Sequence, residues 1–158
     1  MSPILITLSI WLHNMGTVIL IGNYLLLSLI YLPVLSKKES VNITAVILSE
    51  ISRRSRPWLY ISLLTFALTG IYLTLADPNY LGFADFGNVW GILMLVKHLI
   101  IVGMVGMGFW FNAILRVGPM MRSNSGAEQA TRRFRLYVNV MAISGVLVLF
   151  LTALAQVE

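Results

Sequence analysis

The sequence predicts an all-α integral membrane protein, a four-helix transmembrane bundle forming one domain over residues 1–158, and three observations carry that prediction. Hydrophobic residues make up 58% of the chain and charged residues 11%, whereas soluble domains are nearer half and a quarter. The mean hydropathy is +0.87. Four apolar stretches, at residues 3–35, 57–76, 89–115 and 136–157, each reach the roughly 20 residues that cross a hydrocarbon core of about 30 Å.

The first stretch is too long for a secretory signal and lacks a basic leading segment, so it reads as a retained helix. Its length implies tilt or projection beyond the bilayer. Before the second stretch, Val41, Val46, Ile47 and Ile51 alternate with Asn42, Ser49 and Glu50, which predicts a short interfacial helix separate from the span. Residues 77–88 hold Asp77-Pro78-Asn79 and Gly82, the chemistry of a turn. Ser125-Gly126-Ala127-Glu128 has capping-box spacing, so the fourth helix is predicted to start near Gly126 and carry its arginines through the interface. Trp11, Trp58, Tyr60, Tyr80, Trp90 and Tyr137 are candidates for interfacial aromatic belts. The chain has neither a fixed-period repeat nor a low-complexity tract.

Charge predicts the orientation. Lys37, Lys38, Arg53, Arg54 and Arg56 lie between the first two spans, and Arg116, Arg122, Arg132, Arg133 and Arg135 between the last two. Residues 77–88 have no Lys or Arg and contain Asp77 and Asp85. The positive-inside rule then puts both termini outside, with the basic loops cytoplasmic in a plasma (inner) membrane. The net charge of +5 is explained by an anionic leaflet rather than by nucleic acid. Lys97 is the exception, lying within the third span beside His98.

The two histidines, His13 and His98, both lie in spans, where an ionisable side chain is a functional hypothesis by default. The first and third spans run in the same direction. At 1.5 Å per residue, both histidines fall roughly 15 Å below the starts of their helices, which predicts one shared site. Ser9, Gly16 and Thr17 flank His13 at helical spacing, and Gly91, Met94, Leu95 and Val102 flank His98, with Asn112 further along. Gly16 is the expected space-maker. Haem b, a planar and mostly apolar macrocycle, would satisfy both imidazoles as axial ligands. Lys97 would pair with a propionate, snorkel outward, or act as a ligand itself. Adjacent helix positions point about 100° apart, so Lys97 and His98 are not expected to share one site without adjustment.

Other readings stay open at this point. Each histidine would also serve as a packing residue hydrogen-bonded to Asn14, Asn23 or Thr69, or as part of a proton or ion path. With no cysteine, a transition metal must be held by nitrogen, oxygen or thioether. Met15, Met94, Met104, Met107 and Met120-Met121 make copper the alternative cofactor, although methionine is also ordinary core filler. The chain has no phosphate-cradling glycine loop with a lysine, no HExxH pair and no Ser-His-Asp set at one membrane depth, which disfavours a soluble-type hydrolase or nucleotide enzyme.

Trp11-Leu12-His13 with Gly16, Gly22 and Leu32-Pro33, then Arg53-Arg54 and Leu68-Thr69-Gly70, then Trp90, Leu95-Val96-Lys97 and Asn112, form a pattern over nearly the whole chain. It resembles the membrane domain of the CopD-type copper-resistance family and is similar in outline to the HemJ-type protoporphyrinogen oxidases. The first resemblance implies copper uptake or tolerance. The second implies a small haem b membrane protein in which His13 and Lys97 are functional. His98, directly after that lysine, departs from both patterns. The resulting expectation is a haem b protein of oxidoreductase type that transfers electrons near the outer face, with His13 and His98 as iron ligands. Lys97, Gly16 and Asn112 complete its cofactor-binding set, and its partners are the lipid bilayer and redox proteins. A CopD-like copper protein and an accessory subunit of a larger respiratory or photosynthetic complex are the alternatives.

Overall fold

The computed structural model describes residues 2–38, 41–78, 80, 82, 89–110 and 127–157. Regular structure among them is entirely helical. Helix α1 (Pro3–Leu26) passes through a π-helical stretch, Leu27–Tyr31, into α2 (Leu32–Lys38). Helices α3 (Val41–Ala76), α4 (Val89–Phe109) and α5 (Ala127–Ala155) follow. Four helical segments are long and apolar enough to cross a membrane: Pro3–Leu35, Ile43–Ala76, Val89–Phe109 and Glu128–Ala155. Large apolar side chains such as Val18, Leu64, Leu99 and Ile143 point outward from all four. A helix satisfies its backbone internally, so an apolar outer surface suits it to hydrocarbon.

The span boundaries follow the hydropathy pattern, with one clear departure. Residues 41–51 form no separate interfacial helix; they are the first turns of α3, which continues through Pro57. Tertiary packing explains this, because Ala45 and Leu48 are fully buried in the core with Leu32, Ala130 and Phe134. Turning the segment away into the interface would uncover them. Residues 111–115, expected at the end of the third span, lie outside the described residues. Helix α5 starts at Ala127, next to the expected start. Trp11, Trp58 and Tyr60 are exposed, as belt residues would be, but Trp90 and Tyr137 are buried. Tyr137 is held inside by a 2.8 Å hydrogen bond between its hydroxyl and that of Tyr24.

The core is concentrated at one end. Its members come from the end of α1, the π-helical stretch and the start of α2, from the first turns of α3 and from the first half of α5, beside Arg53, Arg54, Arg132 and Arg133. Ser28, in the π-helical stretch, donates a 2.8 Å hydrogen bond to Asn139 and links α1 to α5 there. At the surface, Glu50 accepts hydrogen bonds from Arg53 and Arg54 at 2.9–3.0 Å.

Two glycines set the helix approaches. A Cβ on Gly16 would stand 3.2 Å from the Ser62 carbonyl oxygen, so α1 lies almost on the α3 backbone. A Cβ on Gly145 would stand 3.0 Å from Ile21 Cγ2, between α5 and α1. By contrast, nothing lies within 4 Å of a Cβ at Gly22. Gly16→Val is therefore expected to destabilise the bundle by about 1–3 kcal/mol, the range for overpacking. Gly22→Ala should be neutral or stabilise by up to about 1 kcal/mol. Thermal unfolding in detergent checks the contrast, and equal effects of the two changes would contradict the seam described at Gly16.

Candidate functional site

At the end away from the packed core, the four long helices line a half-open cavity of about 650 Å3. Helix α4 packs chiefly on α5, whereas α1 packs on α3, and the cavity occupies the space between these pairs. One face of α4 lines it at helical spacing: Trp90, Met94, Lys97 with His98, Ile101 and Val105. The α3 wall carries Leu63, Phe66, Gly70 and Thr74, with Asp77 just beyond its end; α1 supplies His13 and Asn14, and α5 supplies Thr152, with Gln156 just past its last residue. The cavity thus gathers two imidazoles, an ammonium, a carboxylate and a thioether within apolar walls.

The hydrogen bonds of His13 define its chemistry. Thr69 Oγ1 lies 2.6 Å from the Thr65 carbonyl oxygen and gives its single proton there. His13 Nδ1, 3.0 Å from the same oxygen, must then be the donor. In a neutral imidazole with Nδ1 protonated, Nε2 carries the lone pair. Fixing one ring nitrogen by an outer hydrogen bond is the way metal-ligating histidines are oriented. Phe66 stacks on the ring with centroids 4.2 Å apart. A Cβ on Gly70 would approach His13 Cε1 to 3.3 Å, so the glycine clears the ring's place on α3.

His98 repeats the arrangement within its own helix. Its Nδ1 lies 2.6 Å from the Met94 carbonyl oxygen, an acceptor only, so Nδ1 donates, and the neutral ring would carry its lone pair on Nε2. His98 is exposed at the cavity rim, whereas His13 is half-buried. Lys97 is also half-buried, and Asp77 lines the same cavity. Asp77 is held just beyond α3 by a turn in which its N–H bonds Thr74 O at 3.3 Å and its carbonyl accepts from Tyr80 N–H at 3.1 Å.

The predicted site residues therefore divide. His13, Lys97 and His98 line one cavity. Lys97 and His98, adjacent positions expected to need adjustment before serving one site, both line this cavity. Gly16 is also corrected from space-maker to seam residue, since it contacts α3 and does not line the cavity. Asn112, Met120 and Met121 lie outside the described residues. Of the other methionines, Met94 lines the cavity, Met15 is exposed, and Met104 and Met107 pack against the core. Thr69, weighed as a packing partner of His13, is the partner found.

Sequence reasoning missed Asp77 as a cavity residue, together with Phe66, Thr74 and Gln156. The signal for Asp77 was present: it is a carboxylate at the end of a span on the same side of the bundle as Lys97. Among the described residues no group of three His, Cys, Asp or Glu side chains is arranged to hold a metal ion. No family model, curated protein or solved structure matches this chain.

The tautomer assignment has a direct check. Nitrogen NMR of 15N-histidine-labelled protein above the imidazole titration range should show His13 protonated at Nδ1 and bare at Nε2. Thr69→Val should remove the acceptor and cost about 1–3 kcal/mol, as for a buried polar group left unsatisfied. A protonated Nε2 in the unaltered protein would contradict the assignment.

Proposed function

We propose that this chain is a membrane protein whose 650 Å3 cavity would bind haem b, held by His13 and His98, and that it works in electron transfer. The observation that carries the reading is the pair of imidazoles on one cavity, each with Nδ1 tied back and Nε2 left as the ligand nitrogen. The cavity volume lies within the roughly 300–1,000 Å3 typical of sites for small molecules and cofactors. Its walls are mostly apolar, as the macrocycle requires, and Lys97 supplies a cation for a propionate. When bound, the iron supplies the one-electron couple.

The chain's own residues contribute orientation and electrostatics. Thr69, Phe66 and Gly70 hold the His13 ring in one plane and tautomer; the Met94 carbonyl does the same for His98. Asp77 balances the charge of Lys97. In this reading the basic end faces the cytoplasm, following the positive-inside rule, so the cavity lies toward the outer face. Met94 beside the two imidazoles favours copper as the second reading, because imidazole and thioether together suit Cu(I). An accessory subunit without a cofactor is the third.

A dithionite-reduced minus oxidised spectrum with metal analysis of the purified chain separates these readings. The haem reading predicts a stoichiometric b-type signal that His13→Ala and His98→Ala each abolish or displace. Hydrogen bonds to charged groups contribute about 1.5–3 kcal/mol, so Lys97→Gln should weaken haem retention about tenfold or more while keeping the spectrum. Copper without haem would favour the second reading. A normal haem spectrum in both alanine variants would overturn the ligand assignment.

A further inference from the structure

A second cavity, about 280 Å3, continues from the first toward the basic end. The two share Leu63 and Phe66 on α3 and Ile101 and Val105 on α4, so they adjoin along these helices, and Ile21 of α1 and Met141 of α5 help to wall the second, a slot toward the basic end. Its polar lining at the basic end consists of Arg56, Tyr60 and the Tyr24–Tyr137 pair. The rest of the wall is aliphatic, aromatic or thioether. Arg56 and Tyr60 are one helical turn apart and both exposed, which places them at the slot's mouth. Arg53, Arg54, Arg132, Arg133 and Arg135 lie at the same end of the bundle.

The length of the slot narrows the occupant. From Arg56 to Phe66 is ten residues of α3, about 15 Å at 1.5 Å per residue. The hydrocarbon core of a bilayer is about 30 Å thick, so the slot is as deep as the hydrocarbon of a single leaflet. An occupant with an anionic head at Arg56 and an unbranched apolar tail lying past Leu59 and Leu63 matches both its charge and its depth. A guanidinium donates through five N–H groups in a planar fork, the geometry that phosphate accepts.

We propose that this slot binds one anionic phospholipid from the leaflet at the basic end, with its phosphate on Arg56 and one acyl chain between α3 and α4. Basic pockets between transmembrane helices bind anionic head groups through the same combination of charge and apolar depth. The lipid would fill the gap that leaves α4 packed chiefly on α5, and its chain end would form part of the floor of the His13 cavity. The inference does not depend on haem.

Native mass spectrometry of the delipidated full chain tests it, with phosphatidylglycerol, phosphatidylcholine and an isoprenoid quinone as probes. The expected result is one retained phosphatidylglycerol per chain, favoured at least tenfold over phosphatidylcholine. Arg56→Gln should erase that preference. Val105→Trp, which fills the slot, should abolish retention, whereas Ile143→Trp on the exposed face of α5 should leave it unchanged. Equal binding of the two phospholipids, or retention unaffected by both Arg56→Gln and Val105→Trp, would mean ordinary annular lipid and would overturn the proposal. Preferential retention of the quinone would overturn it as well.

Discussion

The close seam between α1 and α3 is the constraint on which the site depends. Gly16 lets the two backbones meet at Ser62, and one turn earlier on α1 the same approach brings His13 to Thr69. Gly70 then leaves room for the ring, and Phe66 covers its face. A polar group in hydrocarbon has no water to turn to, so the imidazole is satisfied on the neighbouring helix or not at all. Once Nδ1 is committed to Thr69, the direction of Nε2 is fixed by the rigid ring. The chemistry available to the cavity therefore follows from how closely two helices approach.

The opposite pair is arranged differently. Helix α4 leans on α5 and turns the face bearing Trp90, Met94, Lys97, His98 and Ile101 toward open space. At the basic end, α1, α3 and α5 are packed around Leu48, Phe134 and Val138. The bundle is thus close-packed where α1, α3 and α5 meet and open alongside α4, most widely at the end away from the arginines. Such open space departs from the crystal-like density to which protein interiors are otherwise filled.

Much of this was legible in the sequence, for identifiable reasons. Hydropathy runs reveal spans because lipid imposes a length and a composition, and the shared depth of His13 and His98 followed from helix rise and direction alone. What escaped depended on lateral geometry. Periodicity gives the face of a helix but not the width of the gap opposite it, so that Lys97 and His98 both reach one cavity wall is known only from the packing. Gly16 reads equally well as space for a ligand or for a helix, and only the approach to Ser62 decides. Residues 41–51 look interfacial by pattern, yet burial of Ala45 and Leu48 makes them part of α3. Asp77 was visible as a loop charge, but its place on the cavity required the turn after α3.

In the proposed reading, the two imidazoles, the cation and the apolar walls of this cavity would hold a cofactor that takes two nitrogen ligands. Low-temperature electron paramagnetic resonance of the oxidised, purified chain tests that central claim most directly. The account predicts a low-spin ferric signal of bis-imidazole ligation that becomes high-spin when either His13 or His98 is replaced. A signal of single-histidine ligation in the unaltered protein, or one indifferent to His98, would contradict it.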